Sequence, residues 1–384
     1  MGFQRKSAVT LVTCLLVAFA GTAGLTSRLF IENTEKAETS QYELVKKIVE
    51  FNISGLETRA LARAELVASM PAVKTMFAAR DRDAMASGLK EMFTIQKEKF
   101  GVDQAQFHVP PGTSFLRLHN PTQFGDDLSA TRPIVMAVLG DFVARKGMSI
   151  SRSGPGVFGV SPVFGHDGKP IGSFEIGGDF GPVLDGVKRA YGLELVMFMD
   201  EERLKAAAPN LKDVYTERNR MGRFVKYKST NWDLMQNLVT DAELSSPAIE
   251  NEPFTREFQG TPYGVVAVPL RNPAGDLLGM IIAAKDFSPT RATLGQSMTW
   301  LAVYAVFAFV LMAGVVIVIL RGAVARPLAI LNQRFAALVA GGPAEPIEDT
   351  DGFYGEIGDL AEHYERLRGR ADSQQRQRAR EGAL

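Results

Sequence analysis

The sequence predicts an α+β protein. A long N-terminal helix and two tandem antiparallel-sheet modules lie between two transmembrane helices, and a helical, coiled-coil-like region follows. Three observations support this fold class: two uncharged apolar runs lie far apart in the chain, a nearly glycine-free stretch follows the first run, and one hairpin-like pattern occurs twice between them. The length of 384 residues is sufficient for two or three domains.

The composition excludes several classes of function. Lys and Arg together number 43, as do Asp and Glu, so no net positive charge attracts nucleic acid. The single cysteine, Cys14, lies in an apolar run and cannot form an intramolecular disulfide. The four histidines are too dispersed for a zinc motif such as HExxH. We therefore expect neither a metal nor another cofactor, and no nucleic-acid partner.

The first apolar run, residues 8–25, predicts a membrane anchor after a cytoplasmic stub at residues 1–7. Its 18 uncharged residues are at the lower end of the length that spans a bilayer. A cleaved signal peptide is the alternative, because Ala18-Phe19-Ala20 matches the A-x-A pattern of a processing site. We favour the uncleaved anchor.

The second apolar run, residues 298–320, predicts a second transmembrane helix. Its 23 uncharged residues, at about 1.5 Å per residue, can cross a hydrocarbon core of about 30 Å. Arg321, Arg326 and Arg334 follow it, which favours a cytoplasmic C-terminus by the positive-inside rule. We therefore expect a two-pass protein with both termini in the cytoplasm and an extracytoplasmic domain between the two spans.

Residues 26–70 predict one long extracytoplasmic helix, or two stacked helices, continuing out of the membrane. From Ser27 to Met70 the chain has no proline and one glycine, and Pro71 ends or breaks the helix. Apolar residues recur near helical spacing and form a stripe that can pack on the rest of the domain or on a second subunit. These residues are Leu44, Val45, Ile48, Val49, Phe51 and Leu56.

An internal repeat is the most informative feature of the exported part. Phe158–Pro182 and Tyr263–Pro289 each contain two apolar segments joined by a glycine turn, the pattern of an antiparallel hairpin. Each copy closes with a D-F-x-P unit that can begin a helix. Residues identical at a constant offset of 107 are Gly168 and Gly275, Gly172 and Gly279, Asp179 and Asp286, Phe180 and Phe287, Pro182 and Pro289. We predict a membrane-distal module at 71–186 and a membrane-proximal module at 187–297.

The first module carries a family resemblance. Gln106–Pro121, Phe124–Ser129 and Gly156–Val160 look like recurring segments of the double-Cache sensor domains of bacterial chemoreceptors and sensor kinases. That family has two PAS-like modules in tandem. The resemblance implies a signal-transducing receptor of the bacterial inner (cytoplasmic) membrane that is similar to chemotaxis transducers, binds a small extracytoplasmic ligand and is not an enzyme.

Residues 321–372 resemble a HAMP domain, which consists of a helix, a connector and a second helix. Two heptad-like seams support this: Leu328, Leu331, Phe335 and Leu338, then Ile357, Leu360, Tyr364 and Leu367. Pro327 matches the early proline of that family, and Glu356, Ile357 and Gly358 match the signature of its second helix. The resemblance implies that these residues relay a signal and that the chain is a homodimer paired as a parallel four-helix bundle.

The remaining residues, 373–384, form a polar tail. Receptors of this kind normally continue into a methyl-accepting hairpin, a histidine kinase or a cyclase, and no room for one remains. We expect the signal to pass to a cytoplasmic signalling protein in trans, or the chain to be a truncated receptor.

Candidate ligand-binding residues concentrate in the first module. Strand alternation places Phe115, Arg117 and His119 on one face, where Arg117 offers a bidentate fork to a carboxylate and His119 a hydrogen bond. In the alternative interpretation, Arg117 pairs with Asp126 or Asp127 and stiffens the loop. Further candidates are His108, Arg132, Arg152 and Glu175. The ligand would be an anionic or polar organic molecule, or a hydroxylated or amine molecule with Asp126 or Asp127 as counter-charge.

Three functions remain open from the sequence. The favoured one is a sensory receptor that relays ligand binding through the HAMP-like region. The second is a silent regulatory subunit that dimerises with a full-length receptor or sensor kinase. The third, a membrane-anchored extracytoplasmic enzyme, lacks a motif for a nucleophile with its base or for paired carboxylates. Gly154–Gly159 matches G-x-G-x-x-G, but a strand pattern follows it instead of the helix that a phosphate site needs.

Overall fold

The computed structural model of the chain describes residues 3–340, 345–347, 353 and 355–381. The chain divides into two compact units, Glu35–Arg291 on the one hand, and Met1–Thr34 with Ala292–Leu384 on the other. The first two residues of the predicted stub, the last three of the predicted tail and most of the connector between the C-terminal helices lie outside the described residues.

The helices include one that runs through the whole N-terminal segment. Their bounds are α1 Phe3–Ser69, α2 Pro71–Ala78, α3 Arg82–Phe100, α4 Pro133–Asp141, α5 Gly181–Tyr191, α6 Glu201–Ala207, α7 Trp232–Leu238, α8 Asp241–Ser245, α9 Ser288–Ile319, α10 Arg326–Val339 and α11 Glu356–Glu381. Pro71 begins α2 because proline lacks the N–H that would continue the preceding helix. Of the two possibilities left open by the sequence, the structure has one long helix.

The strands form two antiparallel sheets. Their bounds are β1 Val102–Val109, β2 Thr113–Arg117, β3 Arg145–Ser151, β4 Gly154–Phe164, β5 Pro170–Gly178, β6 Glu194–Asp200, β7 Arg220–Met221, β8 Phe224–Ser229, β9 Phe254–Phe258, β10 Thr261–Arg271 and β11 Leu277–Asp286. The distal sheet has the order β2-β1-β5-β4-β3, and the proximal sheet the order β7-β8-β6-β11-β10-β9. The predicted α+β fold class, a long helix with two antiparallel sheets, is confirmed.

One face of the distal sheet packs on α1, α2 and α3. The ring centroids of Phe107 and Phe174 lie 4.4 Å apart in this core, and Phe77 of α2 packs 5.2 Å from Phe107. From α1 come Ala60 and Ala64, whose small side chains let the helix backbone lie close to the sheet. This leaves the opposite face of the distal sheet free for other contacts.

The proximal sheet is covered on both faces. On one face, Val45 and Val49 of α1 join a core with Leu184 of α5. On the other face, Met235 of α7 and Leu244 of α8 close a second core. The helix α1 therefore contributes side chains to the cores of both sheets.

The two copies of the internal repeat form equivalent hairpins. β4 pairs with β5 around Gly168, and β10 pairs with β11 around Gly275. Both turn glycines have positive φ, +76° and +93°, which side chains with a Cβ rarely adopt. Gly172 and Gly279 recur for a different reason, because a Cβ at either would lie 2.2 or 2.1 Å from a carbonyl oxygen of the adjacent strand.

The predicted boundary between the two modules, placed between residues 186 and 187, falls inside α5. A continuous helix therefore links the two sheets. The D-F-x-P unit predicts this helix correctly, since Pro182 lies in its first turn. Gly154–Gly159 lies within β4, and further strand residues follow it.

Among the residues that the structure describes, two helices are long and apolar enough to cross a membrane, judged by length and composition. They are α1, in its N-terminal part, and α9, and the spans predicted at 8–25 and 298–320 lie along them. Phe19 of α1 packs against Phe309 of α9, with ring centroids 5.4 Å apart.

The C-terminal helices α10 and α11 pack through a small core. Leu331 of α10 is buried against Ala361 and Tyr364 of α11. The predicted seam of α11 differs from this core, because Leu360 and Leu367 are exposed and Ala361 lies on the inward face, three residues before Tyr364. A single chain therefore leaves two apolar residues of that seam unpacked.

Helix α1 contacts the distal sheet directly at Gly159 of β4. A Cβ on Gly159 would lie 2.2 Å from the backbone nitrogen of Leu61 and 2.3 Å from the carbonyl carbon of Ala60. Because both atoms belong to the backbone, no side-chain rotation could relieve the overlap. Gly159 therefore sets the distance between α1 and the sheet.

Gly159→Ala is expected to lower the free energy of unfolding by about 1–3 kcal/mol, because overpacking forces α1 away from the sheet. Gly186→Ala is the matched control. Gly186 lies in α5 with open space around it, so alanine there should be neutral or stabilise by up to about 1 kcal/mol. Thermal unfolding of the full-length protein in nanodiscs measures the stability of both variants. Equal melting temperatures for Gly159→Ala and Gly186→Ala would contradict a tight contact at Gly159.

Candidate ligand-binding site

The face of the distal sheet away from α1 is polar along two neighbouring strands. Gln104, Gln106 and His108 alternate along β1, and on β5 Glu175 lies opposite Gln106 and Ser173 opposite His108. All five residues are buried. Such a face requires hydrogen-bond partners, because an unpaired buried polar group costs free energy.

Helix α4 contributes a buried arginine to this face. Arg132 immediately precedes α4 and forms an ion pair with Glu175, and both side chains are buried. The guanidinium carbon of Arg132 also lies 4.3 Å from the ring centroid of Phe158. The Phe158 ring lies directly against Gly177, where a Cβ would come within 2.3 Å of it. Only glycine at position 177 therefore leaves room for the ring. Gly177 and Phe158 thus position the cation over the sheet.

A second arginine ties the loop between β2 and α4 to the sheet. Arg117, at the end of β2, donates to the two carboxylate oxygens of Asp126 at 2.7 and 2.8 Å, and to the carbonyl oxygen of Gln123 at 3.1 Å. Arg152, in the turn between β3 and β4, lies 3.5 Å from the same carboxylate. Asp126 is therefore shared by two arginines.

Two buried nitrogens of the site lack a hydrogen-bond partner among the described residues. His108 Nδ1 lies 3.0 Å from Ser173 Oγ, but its Nε2 has no hydrogen-bond partner among the described residues. The same holds, within the described ranges, for the Nε of Arg132. Since an arginine Nε always carries a hydrogen, a buried donor is available to a ligand or a water molecule.

Burial governs protonation in the site. Burial, with the nearby charges of Arg132 and Arg117, holds the pKa of His108 well below its usual value, so this ring is neutral at physiological pH. Burial raises the pKa of Glu175, and the Arg132 guanidinium opposes that rise. The hydrogen bonds from Arg117 lower the pKa of Asp126, which is therefore ionised.

The structure brings six of the predicted site residues into one cluster: His108, Arg117, Asp126, Arg132, Arg152 and Glu175. In this cluster three arginines face two carboxylates. For Arg117, the alternative interpretation matches the structure, since its fork is occupied by Asp126.

Phe115 does not share a face with Arg117, contrary to the prediction. It packs against Phe77 of α2, with ring centroids 5.3 Å apart, on the apolar side of the sheet. The reason is an irregularity in the pairing of β1 with β2, which leaves Phe115 without a partner position. Ser114, instead of Phe115, joins the polar face, where its hydroxyl accepts a hydrogen bond from Gln106 at 2.8 Å.

His119 and Asp127 form no ion pair or hydrogen bond with the cluster residues that the structure describes, although His119 lies close enough to feel the charges of Arg117 and Arg132. His119 follows the end of β2, and its Nδ1 accepts a hydrogen bond from the backbone N–H of Ala105 at 3.2 Å. Burial lowers the pKa of His119 to about 4. Asp127 is exposed and accepts hydrogen bonds from the backbone N–H and hydroxyl of Ser129.

Sequence reasoning missed four polar residues of this face: Gln104, Gln106, Ser114 and Ser173. Gln104 donates to Ser151 Oγ at 2.8 Å, and this contact holds the β3–β4 turn beside the site. A signal was present, because glutamine or histidine at positions 104, 106 and 108 of β1 alternates with the apolar residues Ala105, Phe107 and Val109.

The side chains of the cluster are suited to binding an anion. It offers guanidinium groups, a buried Nε–H and an imidazole, and one more negative group would balance its charges. Among the residues that the structure describes, no group of three or more His, Cys, Asp or Glu is placed to hold a metal ion.

A family model described as "Double sensory domain of two-component sensor kinase" matches residues 36–288. The match extends from α1 through the last strand of the proximal sheet, so it includes both sheets and the polar face. No curated protein matches the sequence.

Solved structures similar to the chain include three sensory domains. The sensory domain of the Campylobacter jejuni chemoreceptor Tlp3, with isoleucine bound, is 12% identical with a TM-score of 0.41, covering 68% of this chain and 96% of that one. The sensor domain of the Vibrio cholerae histidine kinase DctB is 11% identical with a TM-score of 0.39, covering 68% and 98%. The ligand-binding domain of the Pseudomonas fluorescens chemoreceptor CtaA, in complex with L-alanine, is 12% identical with a TM-score of 0.38, covering 66% and 98%.

Glu175→Gln is expected to destabilise the protein by about 3–5 kcal/mol, because it leaves Arg132 buried without a counter-charge. The exposed Glu202→Gln on α6 is the control and should change stability by less than about 0.5 kcal/mol. The double variant Arg132→Leu/Glu175→Leu should recover much of the loss. Thermal unfolding of the full-length protein in nanodiscs compares all three, and a Glu175→Gln variant as stable as the control would contradict a buried ion pair.

A second prediction concerns Asp103, which precedes Gln104 on β1. Burial and the charge of Asp179 raise the pKa of Asp103 from 3.8 to about 6. Because the folded state binds this proton more tightly, the contribution of Asp103 to stability is complete below pH 3.8 and is lost as the pH rises through about 6. Between pH 4 and 7 the wild type should therefore lose stability relative to Asp103→Asn.

The control for this pH series is Asp185→Asn, a change at an exposed position of α5. Its melting temperature should follow that of the wild type at each pH. Parallel curves for wild type and Asp103→Asn would mean that Asp103 titrates at the same pH in the folded and unfolded chain.

Proposed function

The chain belongs to the family of double sensory domains of two-component sensor kinases, the double-Cache sensors, and on that premise we propose that it is a transmembrane receptor whose distal module binds a small organic anion. The observation that carries this proposal is the buried polar face of the distal sheet. On this face, Arg132 Nε and His108 Nε2 are buried and have no hydrogen-bond partner among the described residues. A bound ligand would supply the missing hydrogen bonds.

Charge supports an anionic ligand. Arg117, Arg132 and Arg152 supply three positive charges against the carboxylates of Asp126 and Glu175, and His108 adds none because its pKa is lowered. A carboxylate entering the cluster therefore meets a surplus of guanidinium groups. A ligand with a second polar group could also engage Gln104 or Gln106 on the same face.

Binding would proceed by exchange of ion-pair partners. In the structure, Asp126 occupies both N–H groups of the Arg117 fork. A ligand carboxylate that takes this fork displaces Asp126 and releases the loop that precedes α4. The ligand shifts the equilibrium between the two loop positions only by its difference in affinity for them. A tenfold difference corresponds to about 1.4 kcal/mol, which one charge-assisted hydrogen bond can supply.

Contacts near the end of the proximal sheet support a route for the signal. Lys285 of β11 donates to Gln41 of α1 at 2.5 Å, and Arg291 of α9 pairs with Glu38 of α1 at 2.8 Å. Movement of the proximal sheet would therefore act on α1 and on the start of α9 together. From α9 the proposed relay passes to the HAMP-like helices, with Pro327, Glu356, Ile357 and Gly358 as its signature residues, and then to a cytoplasmic protein in trans.

Exposed apolar residues support a homodimer. Leu44, Phe51 and Leu66 of α1 are exposed in the single chain, as are Leu360 and Leu367 of α11. A second copy that packs along these helices would bury them. The two apolar helices support a two-pass receptor of the bacterial inner membrane with its double-Cache domain outside the cytoplasm.

The proposal is tested by ligand binding to the full-length protein in nanodiscs. Organic acids, amino acids, amines and purines are screened by thermal stabilisation, where a ligand at 100 times its dissociation constant adds about 2.7 kcal/mol. We expect an acid to bind, Arg117→Gln to weaken its binding at least tenfold, and Asp126→Asn to strengthen it, because the internal competitor is gone.

Asp127→Asn is the matched control, since it removes the same charge from the neighbouring residue outside the cluster. Its affinity should equal that of the wild type. An affinity lowered equally by Asp126→Asn and Asp127→Asn would contradict partner exchange at Arg117. If no compound binds and the protein co-purifies with a full-length receptor or kinase, the silent-subunit function replaces the receptor.

A further inference from the structure

A cavity of about 430 Å³ lies between the two modules, within the unit Glu35–Arg291, and none of the six cluster residues lines it. It is bounded by α4 and β3 on the distal side and by α6 and the β10–β11 turn on the proximal side. Cavities of about 300–1,000 Å³ are typical of small-molecule sites. The cavity is therefore large enough for a compact organic molecule.

Small apolar side chains create this space. The walls include Ala137 of α4, Ala206 and Ala207 of α6, and Ala274 of the β10–β11 turn. Beside the cavity the modules touch directly, since a Cβ on Gly147 would lie 2.8 Å from the ring of Pro273. The two modules are thus in close contact at one point and separated by alanines at the next.

The cavity wall contains a hydroxyl that is open to a ligand. Ser149 of β3 lines the cavity and is 7% exposed as a whole residue. Its Oγ makes no hydrogen bond to any residue that the structure describes, and it is not one of the fully buried unpaired atoms of those residues, so it faces the cavity. A polar group of a ligand could donate to it or accept from it.

The mouth of the cavity contains a loosely held cation. Arg203 of α6 lies 4.0 Å from Asp276, and about half of each side chain is exposed. Such a pair contributes little to stability, so Arg203 can turn to another anion at little cost. Arg145, the other arginine of the lining, is instead held by both oxygens of Asp141.

We propose that this cavity is a second binding site, for a compact and largely apolar organic acid. Its apolar body would lie among the alanines, its carboxylate would pair with Arg203 at the mouth, and a hydroxyl at the opposite end would bond to Ser149. The site differs from the anion site on the distal sheet, because none of the six cluster residues lines it, although Thr131 and Pro133 of its lining flank Arg132.

The test uses three aromatic probes and the full-length protein in nanodiscs, with empty nanodiscs as the blank. The probes are 4-hydroxybenzoate, benzoate without the hydroxyl, and 4-hydroxybenzyl alcohol without the carboxylate. Isothermal titration should give the order 4-hydroxybenzoate, then benzoate, with the alcohol weakest. Arg203→Gln should weaken both acids about tenfold and leave the alcohol unchanged, whereas the exposed Arg189→Gln on α5 should change nothing.

Two substitutions block the cavity from different sides. Ala206→Phe and Ala274→Phe, both at exposed positions on the rim, should each weaken 4-hydroxybenzoate at least tenfold while the melting temperature of the unliganded protein stays near wild type. Ser149→Ala should abolish the preference for 4-hydroxybenzoate over benzoate. Arg117→Gln, in the distal cluster, should leave all three affinities unchanged.

Three results would overturn this site. The first is wild-type protein that binds none of the probes above the blank. The second is binding that both phenylalanine variants retain. If the probes bind and Arg117→Gln removes that binding, the acid occupies the distal cluster and the cavity proposal fails while the receptor proposal stands.

Discussion

The packing of one helix against two sheets is the constraint on which the remaining structure depends. Val45 and Val49 of α1 belong to the proximal core, and Ala60 and Ala64 to the distal core. The helix is therefore not a separate stalk but part of both hydrophobic cores. Its distance from the distal sheet follows from Gly159, where backbone contacts backbone. The other face of the distal sheet is buried as well, because α4 packs on it.

That second face carries buried charges beside an apolar contact in which Val138 and Leu139 of α4 pack on Val160, and the charges give the distal sheet its chemistry. A buried arginine is tolerated only with a carboxylate partner, so Arg132 requires Glu175 and Arg117 is satisfied by Asp126. The start of α4 and the loop that precedes it are thereby also attached through ion pairs, which can be exchanged. The apolar contacts with α1 on the opposite face cannot be exchanged in this way. The distal sheet thus has one face with fixed apolar contacts to α1 and one face whose ion pairs can be exchanged for contacts with a ligand.

Much of this architecture could be predicted because it depends on local patterns. The hairpins follow from period-two alternation and from turn glycines such as Gly168, and α5 follows from the proline at its start. The site was harder to predict, because it depends on the register between strands. One irregularity beside Phe115 moves that residue to the apolar face and brings Ser114 to the polar one. Strand alternation cannot reveal such an irregularity, and neither can it reveal which carboxylate an arginine meets across a loop.

Asp126 also competes with a ligand carboxylate for Arg117. This competition sets the lowest ligand concentration to which the receptor responds. Asp126 lies nine residues from Arg117 in the chain, and a tether of this length keeps a group at an effective concentration of about millimolar. An external acid that is present below this concentration displaces Asp126 from Arg117 only if its other contacts with the site compensate for its lower concentration. The length of one loop would then tune the working range of the receptor, and an insertion between these two residues could make it more sensitive without altering a single ligand contact.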